Sequence, residues 1–184
     1  ADVAKETAQF IADGTIVGWF YGCAEYGPRS LGNRSILCDA RHPDMRDIAN
    51  NKVKHREPWR PFAASVLNEH AREWFELECE SPFMLLAANV KKDKRGKIPS
   101  VTHVDGTCRI QTVTKKENGR YYDCISEFNK LTGVPLVLDT SFNLAGEPIV
   151  ETPDDALKTF LATKMDYLIL EEYIVTKRSS EPLN

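Results

Sequence analysis

The order of its short apolar segments is what most constrains the fold of this chain. Runs such as 15–20, rich in β-branched and aromatic residues, are typical of strands, and 121–132 is predicted to be a helix that stops at Gly133. Several predicted strands follow one another with no helix between them, which excludes a purely parallel sheet. The pattern therefore predicts one α/β domain built on a mixed sheet. The predicted strands are 15–20, 35–38, 63–67, 83–90, 109–113, 134–138, 167–170 and 173–176, and the predicted helices are 2–13, 43–51, 69–75, 121–132 and one that starts at 152–153.

Composition limits the class of protein. No apolar run approaches the roughly 20 residues that a membrane-spanning helix needs, and no signal-peptide pattern opens the chain. The five cysteines are odd in number and form no CxxC pair, which favours a reduced protein without a zinc site. We therefore expect a cytoplasmic protein that binds no membrane. Because the sequence begins at Ala1 without methionine, we also expect a piece of a longer polypeptide.

The charge of the chain is unevenly distributed. Residues 29–60 contain eight basic and four acidic residues, a charge of +4. Since the whole chain carries −3, the remainder carries −7. A concentrated positive segment in an acidic protein favours a small anionic ligand. It argues against a broad nucleic-acid surface, which normally makes the whole domain basic.

The C-terminal end of this positive segment falls in the run 53–62, which holds three long cations. Lys54 and Arg56 are two residues apart, so on an extended segment their side chains point to one face. Arg60 adds a third donor group, and guanidinium geometry suits bidentate binding of phosphate or carboxylate. The alternative is that these cations form salt bridges with Glu25 or Asp39.

A glycine-punctuated loop at 25–35 presents another arginine. Gly27 and Gly32 permit backbone conformations that other residues avoid, and Pro28 stiffens the turn before Arg29. The alternative is an ordinary surface loop with a solvated arginine.

Ser141 and Asn143 follow an apolar run, at the place where α/β proteins put ligand-binding groups. They are two residues apart, so both can face one ligand from an extended loop. No His/Asp relay is evident that would make Ser141 a nucleophile, and we expect both side chains to donate hydrogen bonds to a ligand. The alternative is a turn or a helix cap.

The segment 103–109 places a turn before a predicted strand. Arg109 stands at the start of that strand, where its side chain can reach the same pocket. His103 and Asp105 are candidates for orienting a ligand or holding a metal. The more frequent role of an Asp before Gly106 is to stabilise the turn by bonding its own backbone.

Six ordered blocks resemble the C-terminal domain of the O-carbamoyltransferases, the family that includes nodulation-factor and antibiotic-tailoring enzymes. The resemblance covers nearly the whole chain, so residues 1–184 are expected to form one such domain. The blocks are Gly-Pro-Arg-Ser-Leu-Gly-Asn-Arg-Ser-Ile-Leu at 27–37, Val-Lys-His-Arg-Glu and Arg-Pro-Phe-Ala within 53–63, Ser-Pro-Phe-Met at 81–84, His-Val-Asp-Gly-Thr at 103–107, Thr-Ser-Phe-Asn at 140–143 and Gly-Glu-Pro-Ile-Val at 146–150.

The resemblance implies a YrdC-like fold, a twisted mixed β-sheet flanked by helices. It also implies a nucleotide site built from a Lys-x-Arg and Ser-x-Asn tetrad, which maps onto Lys54, Arg56, Ser141 and Asn143. Catalytic roles are expected for Lys54, Arg56, Arg60 and Arg109. Ligand-binding roles are expected for Arg29, Lys54, Arg56, Met84, Ser141 and Asn143, with a place in the core as the alternative for Met84.

The implied reaction has two stages. The C-terminal domain would convert carbamoyl phosphate and ATP, with Mg²⁺, into carbamoyl adenylate. An N-terminal domain of the actin-like ATPase superfamily, absent from this chain and carrying iron, would then transfer the carbamoyl group to a hydroxyl acceptor. The acceptor would be chosen by that absent domain.

Three positions depart from the family pattern, namely Ser30, Cys108 and Asp139. The extra carboxylate of Asp139 is expected either to disfavour nearby phosphate or to assist Mg²⁺. Two other functions remain open for the same fold: an RNA-binding module, and a regulatory domain that senses nucleotide without catalysis.

Overall fold

The framework of the domain is one sheet of eight strands, seen in a computed structural model that describes residues 2–177. The strands lie in the order β4-β5-β3-β6-β2-β1-β7-β8. The pairs β1–β7 and β3–β5 are parallel and the other neighbouring pairs are antiparallel, which confirms the predicted mixed sheet. The strands are β1 Val17–Phe20, β2 Arg34–Cys38, β3 Ala63–Leu67, β4 Leu86–Asn89, β5 Thr107–Val113, β6 Leu136–Ser141, β7 Tyr167–Leu170 and β8 Tyr173–Thr176.

Five α-helices and three shorter helical segments flank the sheet among the described residues. Their caps follow the sequence: Asp2 accepts the N–H of Lys5, and Thr152 and Asp155 form a reciprocal capping box. The longest helix ends at Gly133, whose φ is +73°. The helices are α1 Val3–Ala12, α2 Met45–Ala49, α3 Ala71–Trp74, α4 Gly119–Thr132 and α5 Pro153–Ala162, with a π-helix at Asn50–Lys54 and 3₁₀ turns at Asn68–His70 and Arg95–Lys97.

The hydrophobic core lies between the sheet and its helices. Helix α1 packs against α4, α4 packs on β3 and β6, and α5 packs on β1 and β7. The largest fully buried side chains include Trp19, Tyr121, Phe128, Phe142 and Phe160. Burial of such aromatic groups is a dominant favourable contribution to folding.

No helix among the described residues has the length and apolar composition to cross a membrane.

Two sequence-based boundaries were wrong. The strand predicted at 83–90 begins only at Leu86, because Met84 has φ +54°, which an extended strand does not permit. The helix predicted to end near Asn51 continues as a π-helix to Lys54. The side chain of Asn50 holds this helix end, since it donates to the Arg56 carbonyl at 2.7 Å and accepts the Arg56 N–H at 3.3 Å.

Candidate functional site

Lys54 stands at the end of the π-helix and reaches across to the end of β6. Its ammonium lies 2.8 Å from the Ser141 carbonyl, 2.6 Å from Asn143 Oδ1, 3.1 Å from the Asn143 carbonyl and 3.3 Å from Ser141 Oγ. An ammonium has three donors, so these oxygens use its full capacity. Only 4% of Lys54 is exposed. The two halves of the tetrad are thus joined by direct hydrogen bonds.

Burial, together with the positive charges of Arg56 and Arg60, lowers the pKa of Lys54 to about 7. The four oxygens around the ammonium favour its charged form, as does the nearby carboxylate of Asp139. This lysine is therefore poised between its two protonation states near neutral pH. Its position serves to hold Ser141 and Asn143 in place as well as to supply charge.

The chain between Lys54 and Arg56 is not extended, contrary to the sequence-based expectation. His55 has φ +46° and ψ +39°, so it turns the backbone in the left-handed region as the π-helix ends. Arg56 nevertheless lines the same cavity of about 500 Å³ as Lys54, Arg60 and Ser141. A tight turn at His55 brings the side chains of Lys54 and Arg56 to one cavity. The alternation of side chains along a strand is not what brings them together.

Salt bridges do not explain the exposed cations of this cavity. Asp39 is bonded to Arg41 at 2.7 Å, and Arg56 has no ion pair with a described residue. Arg60 has only a loose, exposed pair with Glu57 at 3.8 Å. The alternative reading of the basic run as an internal ion-pair network is therefore wrong for Arg56.

Four arginines lie close enough to influence one another. Burial lowers the pKa of Arg56 to about 10, and the charges of Arg60 and Arg109 act in the same direction. Burial and the charge of Arg29 lower the pKa of Arg109 as well. The Nε atoms of Arg56 and Arg109 are buried and have no hydrogen-bond partner. A buried donor without a partner is costly, so these two Nε–H groups are available to an anionic ligand. Arg56 also has one internal bond, since its Nη2 donates to the Pro61 carbonyl at 3.4 Å.

Asp139 lies next to this cluster but lines neither the cavity of Lys54 nor the one beside it. Its carboxylate is fully buried and accepts hydrogen bonds from Ser30 Oγ at 3.1 Å, Ser65 Oγ at 2.7 Å and Tyr121 Oη at 3.1 Å. Burial raises the pKa of Asp139 to about 6, against the opposing effect of these donors. With its oxygens so occupied, this carboxylate is not placed to bind Mg²⁺.

The loop that carries Arg29 is held by Glu25, which sequence reasoning considered only as a salt-bridge partner. Glu25 Oε1 accepts backbone N–H bonds from Leu31 at 2.6 Å, Asn33 at 2.8 Å and Arg34 at 3.1 Å. Three backbone donors on one oxygen organise the loop below the exposed Arg29. An acidic residue directly before a glycine-rich loop was the available signal for this role.

Gly32 allows the same loop to lie against α4. Its φ is +93°, and a Cβ at this position would meet the ring of Tyr121 at 2.0 Å. Only glycine fits both the backbone conformation and the contact. The Tyr121 ring therefore sets how closely the loop approaches the sheet.

A second cavity of about 510 Å³ adjoins the first, since Ser141 and Asn143 line both. Its walls carry no arginine or lysine. They are formed by Ala24, Glu25, Gly27, Pro28, Ser141, Asn143, Glu147, Pro148, Ile149, Val150 and Glu151. The site is thus one groove with a cationic half and a less basic half.

The remaining candidates lie outside the groove. Met84 is 2% exposed and lines neither cavity. His103 lies 3.2 Å from the Phe62 carbonyl and 3.1 Å from Thr107 Oγ1. Asp105 accepts the N–H of Thr107 at 2.9 Å, which confirms its role in the turn. Within residues 2–177, no group of three or more His, Cys, Asp or Glu side chains is arranged to hold a metal.

The sequence of this chain matches one protein family and is similar to known nodulation proteins. The protein-family model described as "Carbamoyltransferase C-terminus" matches residues 8–177. The chain is 50% identical over 184 residues to nodulation protein NolNO of Sinorhizobium fredii, covering 98% of this chain and 27% of the relative. It is 46% identical over 180 residues to nodulation protein NolO of Bradyrhizobium diazoefficiens, covering 96% and 33%. The chain thus spans about a third or less of the length of these relatives.

Solved structures show the same fold at low sequence identity. P. abyssi Sua5 complexed with L-threonine superposes with a TM-score of 0.67 at 14% identity, covering 91% of this chain and 46% of that chain. Full-length HypF in a phosphate- and nucleotide-bound form gives 0.64 at 18%, covering 97% and 22%. E. coli YciO gives 0.62 at 10%, covering 96% and 88%. These likenesses confirm the predicted YrdC-like α/β fold.

Proposed function

The chain belongs to the carbamoyltransferase C-terminus family, and from this premise we propose that it forms carbamoyl adenylate from ATP and carbamoyl phosphate. The reaction releases phosphate and pyrophosphate and is the first stage of O-carbamoyl transfer to a hydroxyl-bearing acceptor. The observation that carries the proposal is the group of cations in one cavity, where Arg56 and Arg60 lie beside Lys54. Arg109 and its neighbour Arg29 extend this group beyond the cavity lining, and no ion pair within residues 2–177 neutralises Arg29, Arg56 or Arg109.

Such a reaction brings two anions together. Water first cleaves carbamoyl phosphate into carbamate and phosphate. An oxygen of carbamate then attacks the α-phosphorus of ATP, and pyrophosphate leaves with the electron pair of the broken P–O bond. The arginine cluster offsets the repulsion between the reactants and the charge that develops on the leaving group. Fixed donors of this kind are typically worth a factor of about 10²–10³ in rate each.

The two halves of the groove suit the two parts of a nucleotide. The cationic half, lined by Arg56 and Arg60, takes the triphosphate and the phosphate of carbamoyl phosphate. The less basic half, lined by Pro28, Pro148 and Ile149, takes the nucleoside. Ser141 lines both halves, and this shared position supports our assignment of its hydroxyl to the α-phosphate. In this role Ser141 binds and does not act as a nucleophile.

Mg²⁺ enters this proposal as an ion carried by the nucleotide. Such ions are held mainly by phosphate oxygens, with one or two carboxylates and water completing the shell. Glu57 and Glu147 line the two halves of the groove and suit that part, whereas Asp139 is buried and bonded to hydroxyls. When bound, the ion would neutralise part of the phosphate charge.

The second stage is assigned to the remainder of a longer polypeptide. Because the chain covers 27% and 33% of two nodulation relatives, we propose that transfer to the acceptor, any iron and the choice of acceptor belong to that remainder.

Pyrophosphate release tests the proposed first stage. We expect release that requires both ATP and carbamoyl phosphate, and a fall of about 10²-fold in Lys54→Ala and in Ser141→Ala. Lys92→Ala, at an exposed lysine outside the groove, serves as the matched control. Unchanged release in either site variant would show that the site is wrongly assigned. ATP binding without any release would instead indicate a nucleotide-sensing domain, and salt-sensitive RNA retention on filters would favour the RNA-binding alternative.

A further inference from the structure

A buried hydrogen bond ties the loop that carries Arg29 to the sheet. Ser30 Oγ donates to Asp139 Oδ1 at 3.1 Å, and the two residues are 109 positions apart in the sequence. Ser30 is 2% exposed and Asp139 is fully buried. A buried charge-assisted hydrogen bond of this kind is stronger than one between neutral groups. The loop therefore has a fixed point directly beside Arg29.

The other carboxylate oxygen fixes Asp139 itself. Oδ2 accepts from Ser65 Oγ of β3 at 2.7 Å and from Tyr121 Oη of α4 at 3.1 Å. Asp139 therefore cannot move toward the loop without breaking bonds to two other elements. A parallel link runs from Gln111, whose Nε2 donates to the Leu31 carbonyl at 3.0 Å.

Arg29 needs such a support because its surroundings oppose its position. The residue is exposed, so packing does not hold it, and its charge acts on the partly buried Arg109. Two like charges repel at short range unless an anion lies between them. Before a ligand binds, the backbone of the loop must therefore keep Arg29 near the cluster.

We propose that Asp139 is a positioning residue, which acts through Ser30 to hold Arg29 at the edge of the groove, next to the Gly27 and Pro28 that form part of its wall. The proposal rests on the proposed function, since Arg29 gains a ligand contact only if this groove binds phosphate groups. Asp139 itself touches no ligand.

The structure supplies a matched pair of variants. Ser30 and Tyr121 both donate a hydroxyl bond to the carboxylate of Asp139, but only Ser30 belongs to the loop. Ser30→Ala removes the link to Arg29, whereas Tyr121→Phe removes a hydroxyl bond to the same carboxylate from the side of α4 and keeps the ring.

The test is a double-mutant cycle on the dissociation constant for ATP, with Arg29→Ala made in the parent chain, in Ser30→Ala and in Tyr121→Phe. We expect Ser30→Ala to reduce the effect of Arg29→Ala by about threefold to tenfold, as for coupled neighbours. In Tyr121→Phe the effect of Arg29→Ala should equal that in the parent. Equal effects of Arg29→Ala in the parent and in Ser30→Ala would overturn the proposal.

Conservative rescue gives a second readout. Asp139→Asn keeps an oxygen that can accept from Ser30, so Arg29→Ala should retain most of its effect there. Asp139→Ala removes the acceptor and should reduce that effect as Ser30→Ala does. A loss of coupling in both variants to the same extent would point to a general structural role and contradict the positioning role.

Hydrogen exchange separates this proposal from the proposed function. If the parent chain does not bind ATP, the proposed function fails, and exchange of the amides at 31–34 decides the proposal about the tether. Faster exchange in Ser30→Ala than in Tyr121→Phe supports the tether, and equal exchange in the two variants refutes it.

Discussion

Two adjoining parts of the site bury charge in opposite ways. Around Asp139, three hydroxyl groups satisfy a fully buried carboxylate. Around Arg56 and Arg109, by contrast, buried Nε atoms have no partner within the described chain. The three hydroxyls give Asp139 a structural role within the fold. The buried Nε atoms of Arg56 and Arg109 remain available to a ligand, and this difference favours an anion on the arginine side.

The contrast between the two parts is tested most directly by removing a cation from the arginine side. Arg56→Ala should lower the rate of pyrophosphate release by about 10²–10³-fold, because a fixed donor to developing charge is lost. The free energy of unfolding should fall by no more than about 1 kcal/mol, since Arg56 contributes only its stacking on Phe62 and a weak backbone bond. Steady-state kinetics and urea unfolding measure the two quantities.

Arg46→Ala is the control for this variant, because Arg46 lies in the same basic segment and pairs with exposed Asp47. A similar loss of activity in Arg46→Ala would mean that total charge, and not the cluster, determines the rate.

Substitutions in the loop that packs beside Tyr121 should change the free energy of unfolding. Gly32→Ala combines a strained φ of +93° with a clash against Tyr121, so we expect a loss of about 3 kcal/mol. Gly27→Ala also has a positive φ, +117°, but its Cβ would meet no atom within 4 Å. It should therefore lose only about 1–2 kcal/mol. Equal losses in urea unfolding would show that the Tyr121 contact is not tight.

The buried carboxylate predicts a pH dependence of stability. The pKa of Asp139 is raised to about 6 in the folded state, so the folded chain binds this proton more tightly than the unfolded chain. Its contribution is fully present below the unfolded pKa of about 4 and is lost as pH rises to 6. Relative to Asp139→Asn, the parent chain should lose about 2 kcal/mol between pH 4 and pH 7. A parallel dependence in both chains would contradict the raised pKa.

The smallest expected effect concerns the rim of the arginine side. Glu57→Gln removes the loose, exposed partner of Arg60, which lies 3.8 Å away. Because such pairs are worth less than about 1 kcal/mol, ATP affinity should rise by only about twofold. The change should shrink at high salt, where exposed charges are screened. A titration in which affinity falls would instead assign Glu57 to the bound Mg²⁺.

The local sequence predicted most of the fold. Short-range signals act over a few residues, so they can be recognised in the sequence alone. They include the helix caps at Asp2 and Thr152, the helix end at Gly133 and the β-branched runs of the strands. The π-helix before His55 depends on bonds from the Asn50 side chain to a later turn, and no periodicity reports such a bond. The same limit applies to the start of β4, which the positive φ of Met84 delays.

The site was predicted unevenly for the same reason. Resemblance and spacing brought forward Lys54, Arg56, Ser141 and Asn143, and the structure brings these four together. The partners of Asp139 lie 109, 74 and 18 residues away in the sequence, so only the folded sheet shows that they meet.

The proposed formation of carbamoyl adenylate is tested most directly by following the α-phosphate of ATP. With α-labelled ATP and carbamoyl phosphate, we predict label in carbamoyl adenylate, which is resolved from AMP and ADP after a rapid quench. Omitting carbamoyl phosphate should abolish this product, and Arg109→Ala should reduce it with Arg46→Ala unchanged. Label that appears in ADP whether or not carbamoyl phosphate is present would contradict the account, because the bond broken would then be that of the γ-phosphoryl group.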